Sequence, residues 1–338
     1  MNDLGNRLVD AVLRDFPDHV AGTRPNHSWG VGVRGSFEPS PLAATYCTAE
    51  LFQGRVDEVL VRFSNGTGSP GVPDFEPDLR GMAVKFCLSG GAVVDLIGIN
   101  MPVVPFRTVD DFFGFTAAGV PRPVRRRSLL RKVEDLLTLR QPPPEPDRPM
   151  SGDPGLFWFG VTHPVAAPGL LALGAAATAP ASYARVTYHT VHAFGLTGPD
   201  EVRRWVRFHW DPAAGVRPVT DHQVLSDDYL RTELRQRLSS DLTIEFSLRM
   251  QIADVGDDPT DPTRPWPWRR PLVDMGRLTL REALDDATTE ALSFNPTRLV
   301  DGISCSNDEI LRARGPAYEA SLERRAGCPL HAGREERP

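Results

Sequence analysis

Residues 59–97 read VLVRFSNGTGSPGVPDFEPDLRGMAVKFCLSGGAVVDLI, and the fold turns on their periodicity. VLVRFS (59–64), GMAVKF (81–86) and AVVDLI (92–97) place apolar residues at every second position, the period of a strand. Gly, Pro and Asp fill the joins, as turns require. The same period returns in VRFHW (206–210) and TIEFSLRMQI (243–252). Such a run of strands predicts an antiparallel sheet or barrel. Helical spacing opens the chain, where Leu4, Leu8, Ala11 and Val12 fall on one face, and a further helical stretch is expected near Leu129 to Leu139. The class is therefore α+β. Two proline-rich runs, QPPPEPDRP (141–149) and DDPTDPTRPWPWRRP (257–271), interrupt the pattern. Trp266 and Trp268 in the second are expected to bury, so that run reads as a segment wrapped on the barrel.

Composition narrows the partners. The chain has 338 residues, 41% of them apolar, and a formal charge of −6. That charge offers no field to a polyanion, which argues against nucleic acid. MNDLGNRLVDAVLRDF carries Asp3, Arg7, Asp10, Arg14 and Asp15 and holds no secretory apolar core, so a cytoplasmic location is expected. VAAPGLLALGAAATAPA (165–181) falls short of the ~20 apolar residues of a membrane span. Cys47, Cys87, Cys305 and Cys328 show no CxxC spacing and read as free thiols.

Three motifs compete for function. GVGVRG (30–35) satisfies GxGxxG but lacks the strand before it and the helix after it that a dinucleotide site needs, so it reads as part of a curved strand. RPVRRRSLLRKVEDLL (122–137) combines arginines with a leucine stripe; a solvated surface helix is favoured over contact with lipid. His189 and His192 form an HxxH without a third ligand, and strand spacing sends them to opposite faces. More informative is ILRARGPAYEASLERR (310–325). SNDE (306–309) has the form of a capping box, although Gly315-Pro316 is expected to kink or restart the helix. Offsets of four and seven residues put Arg314, Tyr318 and Arg325 on one face. A free phenol loses its proton near pH ~10, so a phenolate at neutral pH needs strong cations beside it.

That helix resembles the proximal helix of the haem catalases: an arginine, three residues, the ligating tyrosine, and a second arginine seven residues on. RFSNGTGSPGVPDFEPDLRGMAVKF (62–86), DLIGINMP (95–102), SFNPTRLVDGI (293–303) and HSWGVGVRGSFE (27–38) are similar to further segments of that family, in the same order, with anchors from residue 24 to 325. The resemblance implies a catalase-like antiparallel β-barrel with flanking helices and a wrapping segment. One domain would cover 1–326, with the barrel and its helices in 24–252, the wrap in 253–304 and the proximal helix in 305–326. Residues 327–338 would be a tail. It implies haem b, its iron held by Tyr318 beside Arg314. Arg24, Arg62 and Arg325 would bind the propionates, Phe112 would lie over the ring, and His192 and Asp308 would stand behind Arg314. His27 would be the acid/base and Ser64 its anchor. At the position of the family's distal asparagine stands Ile99, and Asn100 beside it should point the other way. A missing amide weakens the hold on hydrogen peroxide, and an apolar side chain favours an organic hydroperoxide.

The implied function is a haem peroxidase with weak catalase activity at most, taking hydrogen peroxide or an organic hydroperoxide and a small organic electron donor. The same ligand and histidine also serve a hydroperoxide-rearranging enzyme of the allene oxide synthase type, or a haem-binding peroxide sensor without efficient turnover. The chain ends soon after the proximal helix, unlike the large catalases, and a monomer or homodimer is expected.

Overall fold

The period of two in residues 59–97 becomes three adjacent antiparallel strands in the computed structural model, which describes residues 3–119, 154–219 and 225–326. In chain order the elements are α1 (Asp3–Leu13), β1 (Gly30–Pro39), the single turn α2 (Ala43–Tyr46), β2 (Val56–Asn65), β3 (Arg80–Cys87), β4 (Val93–Ile99), α3 (Val109–Gly119), α4 (Pro154–Thr162) and α5 (Ala167–Ala176). There follow β5 (Tyr188–His189), β6 (Phe194–Thr197), β7 (Arg203–Pro212), α6 (Tyr229–Ser239), β8 (Ile244–Ile252), β9 (Leu272–Ala283), α7 (Asp286–Ala291), β10 (Ile303–Cys305) and α8 (Glu309–Ala326). Eight strands pair in the cycle β1-β2-β3-β4-β5-β7-β8-β9 and back to β1, all antiparallel, so the barrel is closed and has no free edge. β6 and β10 extend it outside the cycle from β7.

The barrel is filled, not hollow. Phe37, Phe63, Phe86, Tyr188, Trp210 and Phe246 are buried inside it, and Phe37 meets Phe86 edge to face with ring centres 5.3 Å apart. Each such side chain stabilises the fold by roughly 1.5–3 kcal/mol through burial. A two-faced strand of a barrel normally shows water its alternate residues. In β2, by contrast, Arg62 and Ser64 on either side of Phe63 are buried as well. The outer wall is thus covered, and what covers it defines the site.

Four expectations need correction. Segment 253–304, expected to wrap, contributes β9, the strand that closes the barrel against β1 and β8. Its alternation in LVDMGRLTLREA is broken by Gly276, which keeps φ +145 and lies against the Glu38 backbone, and that irregularity hid the strand. Trp266 buries to 7% exposure on the Arg207 guanidinium, but Trp268 stays 88% exposed, with only the Arg269 guanidinium over its ring among the described residues. Finally, α8 runs unbroken through Gly315-Pro316. Packing on both sides carries the lost backbone bond: Leu311 is fully buried, and Gly315 lies so close to Thr297 that an added methyl would sit 2.8 Å from its hydroxyl. Nor is the start of α8 a capping box. The Asp308 carboxylate caps it, accepting from Ile310 N at 2.9 Å and Leu311 N at 3.2 Å, while Glu309 reaches across to Val109 N.

No single helix among the described residues is long and apolar enough to cross a membrane; the apolar pair formed by α4 and α5 bends by 112° at its break. The basic run 122–137, the helix near 129–139, the proline-rich run 141–149, Cys328 and the tail 327–338 lie outside the described residues. Cys47, Cys87 and Cys305 are free thiols.

One ion pair ties the barrel to the approach of α8. Lys85 Nζ lies 2.6 Å from Asp95 Oδ1, and the second oxygen of Asp95 accepts from Asn295 N at 2.9 Å and Arg298 Nη1 at 3.1 Å. Asp95 is fully buried. Replacing Asp95 with Ala strands the Lys85 ammonium, and urea unfolding should show a loss of roughly 3–5 kcal/mol, partly recovered when Lys85→Met is added.

Candidate active site

A cavity of ≈ 1370 Å³ lies between the outer wall of the barrel and a layer of helices that includes α1, α3, α4, α5 and α8. On the barrel side it meets His27, Ser64 and Ile99; on the helix side it meets Phe112, Arg314 and Tyr318. Residues that the sequence separates by almost three hundred positions therefore face one space.

His27 is held from four directions. Its backbone takes φ +52, a left-handed conformation rare outside glycine. His27 N donates to Gly66 O at 3.0 Å, and Arg62 Nη1 donates to His27 O at 2.8 Å. Ring atom Nδ1 pairs with Ser64 Oγ at 3.0 Å, and Gly81 passes beneath: a methyl there would lie 2.9 Å from the ring. Glycine is thus required at 81 by close approach. Burial, reinforced by the charges of Arg62, Arg314 and Arg24, lowers the pKa of His27 to about 4. It is a neutral base at physiological pH.

Across the cavity Arg314 Nη2 donates to the Tyr318 hydroxyl at 2.9 Å, one helical turn away. Behind them His192, which is buried, pairs through Nδ1 with Asp308 Oδ2 at 2.6 Å. The other Asp308 oxygen is the helix cap, so a single carboxylate fixes both the imidazole and the start of α8. Burial lowers the pKa of His192 against the pull of Asp308, and Arg314 lowers it further. His189, its HxxH partner, also lines the cavity and packs on His209 with ring centres 5.4 Å apart. Among the described residues no group of three His, Cys, Asp or Glu side chains could hold a metal ion.

Three guanidinium groups gather at one side of the cavity. Arg24 and Arg62 both pair with Glu290, Arg62 at 3.3 Å, and Arg325 Nη1 donates to Glu290 O at 3.3 Å. Burial lowers the pKa of Arg62 to about 9 and that of Arg325 to about 10, each pushed further by Arg24. Arg62 Nε and Arg325 Nε are buried without a hydrogen-bond partner. Glu290 was not singled out from the sequence, and no local signal marks it: it stands 228 positions from Arg62.

Ile99 turns to the cavity, whereas both ends of the Asn100 amide are engaged elsewhere. Asn100 Oδ1 accepts from Arg80 N at 2.9 Å and Nδ2 donates to Ala176 O at 2.8 Å. Phe112, on α3, meets Phe106 edge to face at 5.1 Å.

The catalase family model matches residues 8–332. A catalase-related peroxidase of Mycolicibacterium paratuberculosis is 31% identical over 329 residues, covering 95% of both chains. A catalase-related peroxidase of Synechococcus elongatus is 28% identical, over 95% of this chain and 88% of its own. Against the longer Catalase-2 of Bacillus subtilis, 29% identical, the match takes 90% of this chain but 46% of the relative. A crystal structure of a fungal catalase superposes with a TM-score of 0.74 at 22% identity, over 93% of this chain and 61% of the other, a likeness of fold. Barrel, helices and sequence agree over nearly the whole length, and the chain belongs to the catalase family.

Proposed function

We propose that this chain is a haem-dependent peroxidase that consumes hydrogen peroxide or an organic hydroperoxide at the expense of an organic electron donor. The observation that carries the reading is the imbalance of charge in the wall of the cavity. Arg24, Arg62 and Arg325 converge there, Glu290 is the only carboxylate among the described residues that pairs with any of them, and two buried guanidinium nitrogens have no acceptor. Buried charge of that kind costs several kcal/mol unless it is matched. The two propionates of haem b match it in number and chemistry, because arginine binds carboxylates through paired N–H donors. The space beyond has the volume of a cofactor site, and the phenol of Tyr318, with its cation Arg314, lines it and would hold the iron.

Bound haem supplies the redox chemistry that peroxide drives. The chain's own residues supply the rest. Arg314 holds the Tyr318 hydroxyl by its hydrogen bond and would keep a cation beside the oxygen that meets the iron. With Nδ1–H donated to Ser64 Oγ, His27 Nε2 carries the lone pair that faces the cavity. It accepts the proton of the peroxide's near oxygen and returns it to the far one, so water or an alcohol leaves without a free hydroxide or alkoxide forming. His192 and Asp308 hold α8, and with it Arg314 and Tyr318, in register with the barrel. Ile99 offers peroxide no donor, and Asn100 is committed elsewhere, which supports weak dismutation and tolerance of a bulky hydroperoxide.

Three outcomes are expected. Tyr318→Phe lowers haem affinity by at least the ~10–100-fold that loss of an outer-sphere partner costs a metal site, read by haem titration and the absorption spectrum; a spectrum indifferent to this change sinks the assignment. The rate of reaction with peroxide stays flat as pH falls through 6.5 and drops only as His27 protonates near pH about 4, since the neutral imidazole is the active form. Ile99→Asn raises kcat/KM for hydrogen peroxide dismutation about tenfold, the effect of one hydrogen bond to the peroxide, and leaves the rate with a bulky hydroperoxide unchanged or lower.

A further inference from the structure

One transverse row on the outer face of the barrel crosses the site. Register places Ser64 opposite Gly81, Gly81 opposite Ile99, Ile99 opposite His189, and His189 opposite His209. Residues directly opposite one another in antiparallel strands project from the same face. Ser64 anchors the His27 ring and Gly81 makes room for it. Ile99 therefore stands between two imidazoles, His27 on one flank and His189 on the other. At ~4.8 Å per strand, His189 lies roughly 10 Å along the wall from Gly81.

His189 lines the cavity, and its ring nitrogens make no hydrogen bond to any described residue. Its only ring contact is with His209, centre to centre at 5.4 Å and tilted by 35°, which is packing and not a proton path. Burial, with His209 adding to it, lowers its pKa to about 4, so the ring is neutral and offers one donor and one acceptor. Half-buried on the cavity wall, such a ring can offer that donor and acceptor to a ligand in the cavity.

Peroxide is the wrong partner. A molecule held at His27 is two oxygens long and cannot reach a group two strands away. An anionic donor fits no better, because a neutral imidazole carries no charge to offset the cost of desolvating it. We propose that His189 binds the reducing co-substrate, a neutral hydroxyl compound of the phenol type, whose O–H donates to the imidazole in a subsite separated from the peroxide subsite by Ile99. The identity of the ligand as an electron donor rests on the peroxidase reading; the binding contact does not.

The test uses the haem-loaded protein at rest and guaiacol as the phenol, with Kd measured by calorimetry for the parent chain, His189→Leu and His189→Asn. Loss of one hydrogen bond should raise Kd about tenfold in the leucine variant, while asparagine, which keeps a donor and an acceptor, stays within about threefold. In steady state the KM for guaiacol should follow Kd, while the KM for peroxide and the rate with ferrocyanide, an anionic donor without a hydroxyl, do not move. Unchanged guaiacol binding in His189→Leu overturns the proposal, as does a peroxide KM that rises in step with it. If neither donor supports turnover, the peroxidase reading fails by itself, and the ratio of the Kd values still decides the role of His189.

Discussion

Three guanidinium groups, Arg62 buried and Arg24 and Arg325 partly so, and one carboxylate set the terms for the rest of this structure. Arg24 comes from the segment after α1, Arg62 from the barrel, Arg325 from the last turn of α8, and Glu290 from α7. An unmatched charge away from water is expensive, so these elements are useful together only if an anionic partner joins them. On the proposed reading, the two carboxylates of the cofactor would match that charge. Folding and cofactor binding are in that sense coupled, since ligand that binds only the native state stabilises it.

The barrel contributes a wall as much as a core. Its inside is filled by aromatic and aliphatic side chains, which makes the strands stiff. Stiff strands at fixed spacing then turn a row of outward residues into a ruler: Ser64, Gly81, Ile99, His189. Along that ruler the chemistry alternates between groups that position an imidazole, a space left by a missing side chain, and an apolar spacer. A single glycine matters here because the His27 ring rests on it, and the left-handed backbone of His27 persists because hydrogen bonds from both sides hold it.

The helix side is held by carboxylates that each do two jobs. Asp308 caps α8 with one oxygen and fixes His192 with the other; Asp95 pairs with Lys85 and also accepts from Asn295 and Arg298 in the segment before α8. Arg324 adds bonds to Asn6 and Asp10 of α1, so both ends of the chain clamp the same helix. With the helix locked at its start, middle and end, Arg314 and Tyr318 keep their 2.9 Å contact facing the cavity.

Much of this was legible in the sequence, and the reasons are physical. Periods of two and of 3.6 report local burial, so most strands, the first helix and the common face of Arg314, Tyr318 and Arg325 could be read from spacing alone. Ordered motifs carried the family. Spacing failed where a residue's surroundings come from far along the chain. Gly276 masked β9, Trp266 went in on the Arg207 guanidinium while Trp268 stayed outside, and Gly315-Pro316 did not break a helix that tertiary contacts hold on both sides. Glu290 has no sequence signature because its meaning is the arginines its carboxylate meets, Arg24 and Arg62, 266 and 228 positions away. His189 had been half of an unproductive HxxH. Only closure of the barrel set it beside Ile99, because strand pairing, not sequence distance, decides which side chains share a wall.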